Sequence, residues 1–351
     1  ATALDGNTTA SDNTAIGYQA LGALSTGAAN TVLGSQALDA STTGTENVAI
    51  GYRALSNDTK GQRSIAIGNE ALFSQNSTSA TNLYNVGVGF QAMYTNTTGV
   101  NNTAIGALTL DASTTGSANV AIGRSSLTAS TTAGNNTAVG VDTMKATTTG
   151  GDNTAIGYLA SSANTTGTQN VSVGMNALRD CTTGSSNVVM GEGAQIQSTT
   201  ASQNVAIGRM ALFDNTTGGG NIAVGYDAGD TITTGTGNTI IGNLADVDAV
   251  GAVNRIALGN QVICQSDNTI TVGAGGTVAS LGIDGSDTSW AASSDLRLKK
   301  DVADSTVGLN FIKALRPVTF KWNAKDAIAN TLPQYDADSS DPVYGEGKAH
   351  H

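Results

Sequence analysis

The chain carries little charge and few aromatic side chains. Of its 351 residues, 12% are charged and 4% are aromatic, whereas about a quarter of the residues in a typical globular domain are charged. Proline is scarce too, with 3 residues against 44 glycines. Such a composition approaches that of disordered chains, but the strict repeat described below argues against disorder.

Long hydrophobic runs are also missing. No segment is long enough and apolar enough to cross a bilayer as a helix. The formal net charge of -11 disfavours nucleic acid and anionic membrane surfaces as partners. We therefore expect no nucleic-acid partner and no membrane insertion, and nothing in the sequence calls for a metal or a cofactor.

The chain contains a five-residue motif that occurs fifteen times. The first copy is Asn-Thr-Ala-Ile-Gly ending at Gly17, and the last copy ends at Gly259. We call the final glycine of each copy the anchor glycine. Thirteen of the fourteen gaps between anchor glycines are 17 residues, and the gap from Gly68 to Gly89 is 21. A fixed period of this length indicates a solenoid.

Each position of the repeat has its own residue type. A β-branched residue stands three before every anchor glycine and an apolar residue one before it, which predicts a short strand with that face buried. Asparagine stands four before it in thirteen copies, where it suits a turn. An Ala-Leu pair such as Ala20-Leu21 predicts a second strand, and a Thr-Gly loop closes the repeat. Stacked asparagines predict an amide ladder.

Stacked coils pair each strand with its copy above and below, at about 4.8 Å per coil, so fifteen coils predict a rod of roughly 70 Å. Cys181 and Cys264, five repeats apart, are then about 24 Å apart and cannot form a disulfide within one chain. No histidine is near either cysteine in sequence, so neither is a predicted nucleophile. A single thin stack of coils would have a poorly filled core. We therefore expect several chains to share a core, with the Ala-Leu face as the interface.

The 21-residue gap carries the candidate receptor contacts Phe73 and Tyr84, since exposed loop aromatics often bind ligands. The alternative is a tolerated loop insertion without function. Aromatic residues also follow several anchor glycines directly. We interpret them as side chains that only cover the surface of the rod, and the alternative is a column on which sugar rings stack. The chain opens in the middle of a repeat, which leads us to expect a preceding region that attaches the rod to other proteins.

After Gly259 the period breaks, and the composition changes at Ser294. Residues 1–275 are the predicted shaft, 276–293 a glycine-rich junction and 294–351 a small α+β piece. In that piece Leu309, Ile312 and Leu315 predict a helix ended by Pro317, and Val318–Trp322 alternates like a strand.

The NTAIG and NVAIG repeats resemble the head of trimeric autotransporter adhesins, a left-handed parallel β-roll in which three chains pack together. Similar repeats occur in bacteriophage fibres. The resemblance covers about residues 1–275. The resemblance implies that the 17-residue repeats form an all-β, homotrimeric, left-handed β-roll.

The motif Ser294-Asp295-Leu296-Arg297-Leu298-Lys299, with the helix and Pro317-Val318-x-Phe320-x-Trp322, resembles the start of the C-terminal intramolecular chaperone of phage endosialidases and tailspikes. In that family the domain drives trimerisation and then cuts itself off. The resemblance implies that Ser294 is the nucleophile, Lys299 its partner and Ser293-Ser294 the scissile bond, with Asp295 and Arg297 as supporting motif residues. A serine hydroxyl needs a base, and a lysine with a lowered pKa can serve. The family's domain extends beyond residue 351, so we expect only its N-terminal part here.

Together these features predict the structural and adhesive shaft of a phage tail fibre or tailspike, located on the virion outside the cell. Its expected partners are two further copies of itself, a glycan or protein receptor on the host surface, and other virion tail proteins. The first alternative is a bacterial trimeric surface adhesin; the chaperone-like C-terminal motif favours the virus. The second is a tailspike glycan hydrolase, which needs paired carboxylates, whereas the acidic residues here follow no column. Single-turnover self-cleavage is the only chemistry expected.

Overall fold

The computed structural model describes residues 2–285, 291–292 and 337–338. The chain divides into two compact units, Ala1–Ser293 and Ser294–His351. The helix predicted around Ile312 and the strand predicted at Val318–Trp322 lie outside the described residues, and so does the rest of the α+β piece apart from residues 337–338.

Every repeat of the shaft forms one three-residue strand that ends just before its anchor glycine. These strands are β1 (Thr14–Ile16), β2 (Thr31–Leu33), β3 (Val48–Ile50), β5 (Ile65–Ile67), β7 (Val86–Val88), β8 (Thr103–Ile105), β9 (Val120–Ile122), β10 (Thr137–Val139), β11 (Thr154–Ile156), β12 (Val171–Val173), β13 (Val188–Met190), β14 (Val205–Ile207), β15 (Ile222–Val224), β16 (Thr239–Ile241) and β18 (Ile256–Leu258). Each pairs in parallel with the next, shifted by one repeat, as Thr14 pairs with Thr31. The prediction of an all-β solenoid of about fifteen coils is confirmed.

The remaining strands are local additions. In the part of the chain that the structure describes they are β4 (Gly61–Gln62), β6 (Thr81–Asn82), β17 (Asp246–Val247), β19 (Ile263–Cys264), β20 (Thr269–Ala274), β21 (Thr277–Gly282) and β22 (Ala291–Ala292). β4 pairs with β6 across the 21-residue gap, and β17 pairs with β19 in the last coils. The parallel part of the main sheet ends in β20, which pairs in parallel with β18 and antiparallel with β21, and β21 pairs antiparallel with β22. The parallel stack therefore closes with a hairpin.

The buried face of these strands is the opposite of the predicted one. The middle residue points inward, as Ala49 and Ala66 do with no exposed surface, whereas Ile16 and Leu33 at the strand ends are 61% and 47% exposed. The inner column is mostly alanine, and space is tight in the long repeat, where an added Cβ at Gly87 would lie 3.2 Å from the Leu72 side chain. Three coils bury a larger residue at this position, namely Val32, Val189 and Ile240, so the inner column favours small residues without requiring them.

The second predicted strand is wrong for most of the shaft. Gln19 and Leu21 both have left-handed backbone, with φ of 55° and 54°, and the pattern recurs along the chain. Ala20 and Leu21 are both fully buried, whereas a strand in the wall of a single coil would bury only one of the two, because neighbouring side chains point to opposite faces. Left-handed residues let two successive side chains face the core. Two-residue second strands form only in the last coils, as β17 and β19.

The same observation overturns the predicted interface between chains. The alanine and leucine pairs fill the inside of their own coil, where residues such as Ala37, Leu38, Ala54 and Leu55 have no exposed surface. They form the core of a single chain. A face already buried within one chain is not available to a second one.

The asparagine ladder is confirmed. The Asn47 side chain donates to the Gly61 carbonyl at 2.9 Å, while the Asn30 side-chain oxygen accepts the Asn47 backbone N–H at 3.0 Å. Each asparagine thus joins its own coil to the next one. At the far end Arg255 takes the asparagine position, and its guanidinium bonds Asp248 at 2.6 Å and Asp267 at 2.7 Å.

Candidate functional site

The most prominent surface feature of the shaft is an apolar stripe formed by the outer strand residues. We call the side chains three and one before each anchor glycine the outer stripe. Nine of the residues directly before the anchor glycines are at least 36% exposed, namely Ile16, Leu33, Ile67, Ile105, Ile122, Ile156, Met190, Ile207 and Ile241. The parallel pairing in register aligns them, as it aligns Ile105 with Ile122. The outer stripe therefore follows the whole stack of coils, roughly 70 Å at the usual strand spacing.

A second exposed column flanks the outer stripe. We call the residue directly after each anchor glycine the flanking residue. Its large apolar and aromatic members are 42–56% exposed, and they are Tyr18, Tyr52, Phe90, Tyr158, Met175 and Tyr226. Contiguous apolar surface of this extent is unusual on a monomer and marks an interaction site.

Sequence reasoning assigned the outer stripe to the inside of the coil, although the signal for the correct face was present. The residue two before the anchor glycine is small in most copies, for example Ala15, Ala121 and Ala155. In a coil with little internal space, the column of small residues is the one that points inward.

The two candidate receptor contacts occupy different columns of the solenoid. The Phe73 ring is half-buried and stacks on the Tyr94 ring at 5.1 Å, and the Arg53 guanidinium lies 4.4 Å from the Phe73 ring centre. Tyr84 is 49% exposed, and its hydroxyl accepts a hydrogen bond from Arg63 at 3.0 Å. The structure does not unite them in one patch, and Tyr84 offers the more accessible ring.

In the long repeat Gln75, which stands seven after its anchor glycine, takes over contacts of the asparagine that is missing at Ser64. Gln75 donates to the Asp58 carboxylate at 2.7 Å and to the Ser64 hydroxyl at 3.1 Å. Its own oxygen accepts from Asn85 at 2.9 Å, so the ladder continues through Gln75. Burial raises the pKa of the Asp58 carboxyl, although hydrogen bonds from Gln75 and from backbone amides oppose the shift.

Asp246 is the most perturbed carboxyl group of the described shaft. It stands four after its anchor glycine, where most coils have leucine. Its Oδ2 accepts from the Thr231 hydroxyl at 2.6 Å, and its buried Oδ1 has no partner. Burial, together with the neighbouring Asp230, raises the pKa of Asp246 to about 7.

This carboxyl gives the shaft a pH-dependent stability. The pKa of Asp246 is about 7 in the folded state and 3.8 for an ordinary aspartate. The folded state therefore binds this proton more tightly than the unfolded state does. The stability that the bound proton contributes is lost as the pH rises from about 4 to about 7. We expect the Tm of the native chain to fall more steeply across this window than that of Asp246→Asn, which keeps an oxygen for Thr231 but cannot ionise. Parallel Tm profiles in a thermal unfolding series would contradict the assignment.

Other candidate chemistry finds little support in the described part of the chain. Cys181 and Cys264 are free and buried, and burial raises the pKa of the Cys181 thiol, which disfavours a thiolate nucleophile. Within those residues no group of three or more His, Cys, Asp or Glu side chains could hold a metal ion. Nor do they include a helix that is long and apolar enough to span a membrane.

Comparison with known proteins adds one finding. Residues 294–336 match the family described as the chaperone of endosialidase, and the match begins where the second compact unit begins. No curated protein and no solved structure matches the chain. The protein is therefore a β-solenoid that carries an endosialidase-type chaperone segment at its C-terminal end.

The predicted cleavage residues fall within or beside this match. Ser294, Asp295, Arg297 and Lys299 lie inside it, and Ser293 immediately precedes it. All five lie outside the described residues, so their roles stay predictions.

Proposed function

We propose that the chain is the shaft of a bacteriophage tail fibre or tailspike, a left-handed homotrimeric β-roll that is matured by self-cleavage at its C-terminal chaperone. The chaperone match supports the viral assignment over a bacterial trimeric adhesin. The repeats alone suit both classes. The work of the shaft is structural and adhesive, since it holds a host-contacting surface away from the particle.

The observation that carries the homotrimer is the outer stripe. It repeats at every coil, so a partner must present apolar side chains at the same axial spacing along the whole rod. Another copy of this chain has that spacing. Packing three copies along their outer stripes would cover the exposed Ile, Leu and Val side chains and supply the shared core that a thin coil stack needs.

Self-cleavage follows from the chemistry of Ser294. Its hydroxyl would attack the carbonyl carbon of Ser293 while neutral Lys299 takes the proton. The peptide C–N bond then breaks as protonated Lys299 passes the proton to the leaving nitrogen, which leaves Ser293 as an ester on the Ser294 oxygen and frees the Ser294 amine. Water hydrolyses the ester, which restores the hydroxyl and releases the Ser293 carboxylate.

The test compares the product of the complete gene with its Ser294→Ala variant. We expect the native protein to be cut into a chain ending at Ser293 and a fragment beginning with Ser294, as read by mass under denaturing conditions. We expect the variant to stay whole, and light scattering to give three shafts per native particle. An uncut native protein of one-chain mass would overturn the proposal.

For the host contact, we propose the coils around the 21-residue gap. Tyr84 is the better of the two candidates, because its ring is about half exposed and Arg63 holds its hydroxyl in place. Phe73 is engaged by Tyr94 and Arg53 within the chain. The expected ligand is a host-surface glycan or protein, and other virion tail proteins are the proposed assembly partners.

A further inference from the structure

A homotrimer built on the outer stripe faces a problem of register. The outer strand residues are nearly the same in every coil, with Thr, Val or Ile at one end and Ile, Leu, Val or Met at the other. If one copy slips along another by one coil, about 4.8 Å, almost every apolar contact is replaced by an equivalent one. Uniform strands specify register weakly, so the outer stripe cannot fix which coil meets which.

The flanking residues differ from coil to coil. In chain order they are Tyr18, Ser35, Tyr52, Asn69, Phe90, Ala107, Arg124, Val141, Tyr158, Met175, Glu192, Arg209, Tyr226, Asn243 and Asn260. Its aromatic members stand in the first, third, fifth, ninth and thirteenth coils, so a slip of one coil in either direction brings none of them to the height of another aromatic flanking residue. It lies just two residues from the outer stripe, across the anchor glycine, and its large members are about half exposed.

We propose that the flanking residues set the axial register in which copies of this chain pack along their outer stripes. The inference rests on the proposed homotrimer and adds the residues that decide how its copies align. The partner is a second copy of the chain.

The charged flanking residues make a slip costly. Arg124 is 60% exposed, and Glu192 and Arg209 are 51% and 49% exposed. A slip of one coil brings Glu192 to the height at which Met175 packs in the correct register. A carboxylate, with its Arg209 partner, would then replace an apolar side chain in a partly desolvated contact, and desolvating an ion pair can cost more than its attraction returns. Repulsive mismatches of this kind select one alignment among similar ones.

Neighbouring coils also hold these charged side chains in place. The Arg209 guanidinium bonds Glu192 at 3.4 Å and the Tyr226 hydroxyl at 3.3 Å. Arg124 bonds Asp142 at 3.4 Å. Each charged group therefore keeps a defined height along the rod, which a register marker requires.

The test makes the flanking column uniform. Asparagine already occupies this position at Asn69, Asn243 and Asn260, so all large and charged flanking residues are changed to asparagine in one variant. These are Tyr18, Tyr52, Phe90, Arg124, Tyr158, Met175, Glu192, Arg209 and Tyr226. A control variant carries Glu46→Asn, Arg63→Asn, Tyr84→Asn and Asp152→Asn, which lie five before their anchor glycines and are exposed.

Register is read as a distance between copies. Two forms of each protein, Thr26→Cys and Thr132→Cys, are co-expressed and spin-labelled; both sites are exposed and lie six coils apart, and both native cysteines are buried. Pulsed electron spin resonance then measures the distance between the label at residue 26 of one copy and the label at residue 132 of another copy.

We expect one such distance for the native and control proteins. For the uniform variant we expect additional distances, shifted axially by steps of about 4.8 Å. A single unchanged distance in the uniform variant, with trimers intact, would overturn the inference and leave the homotrimer standing. Absence of any distance between copies, with a native mass of one chain, would overturn the homotrimer and the register inference together.

Discussion

Replacing Ile105, Ile122 and Ile156 by aspartate is expected to convert the proposed trimer into folded monomers. These residues belong to the outer stripe and are 40%, 36% and 41% exposed in the single chain. An aspartate there remains hydrated in the monomer but would lie in the shared core of the trimer. Burying an unpaired carboxylate costs on the order of several kcal/mol, so three per copy should weaken assembly by at least about a thousandfold.

Native mass by light scattering measures this effect, and circular dichroism checks that each shaft is folded. The matched control carries Thr115→Asp, Thr132→Asp and Thr166→Asp, which add the same charge on exposed turns of the same stretch. The control should remain trimeric. A triple isoleucine variant that also remains trimeric would exclude the outer stripe as the interface.

Replacing the anchor glycine Gly157 by alanine is expected to unfold the middle of the shaft. Gly157 has φ of +138°, which side-chain-bearing residues rarely adopt, and an added Cβ would lie 2.7 Å from the carbonyl carbon of Gly174 in the next coil and overlap its oxygen. Hydrogen bonds fix the backbone on both sides, since Gly157 N–H donates to Val139 and Gly174 N–H to Ile156, both at 2.8 Å. The chain cannot move aside without breaking the stack.

Backbone strain of this kind costs about 1–3 kcal/mol, and the overlap adds to it. Because each coil contacts only its neighbours, one displaced coil also weakens the coils above and below. We expect a fall in Tm of more than about 10 °C. Gly251→Ala serves as the control, since the nearest atom to its added Cβ is 3.7 Å away; it should unfold close to the native temperature. Equal values of Tm for Gly157→Ala and Gly251→Ala would refute the steric account.

Sequence reasoning was strongest where identical residues stack. The asparagine ladder could be predicted because asparagine recurs at one position of the repeat, which places each side-chain amide within hydrogen-bonding reach of the next coil. The same reasoning failed for the Ala-Leu segment. There the pattern resembled a strand, and left-handed backbone at residues such as Leu21 and Leu38 gave a path that no residue preference predicts, since leucine seldom adopts it.

The sequence by itself determined the coil count, the position of the strand before each anchor glycine and the glycine corner. It could do so because a solenoid repeats local interactions, and a repeated interaction leaves a repeated residue. Only the tertiary structure decided which face of each strand is buried. That choice follows from the backbone path of the coil, which turns the middle side chain of each strand inward, as at Ala49 and Ile240, and leaves the residues at the strand ends on the surface, where another copy can cover them.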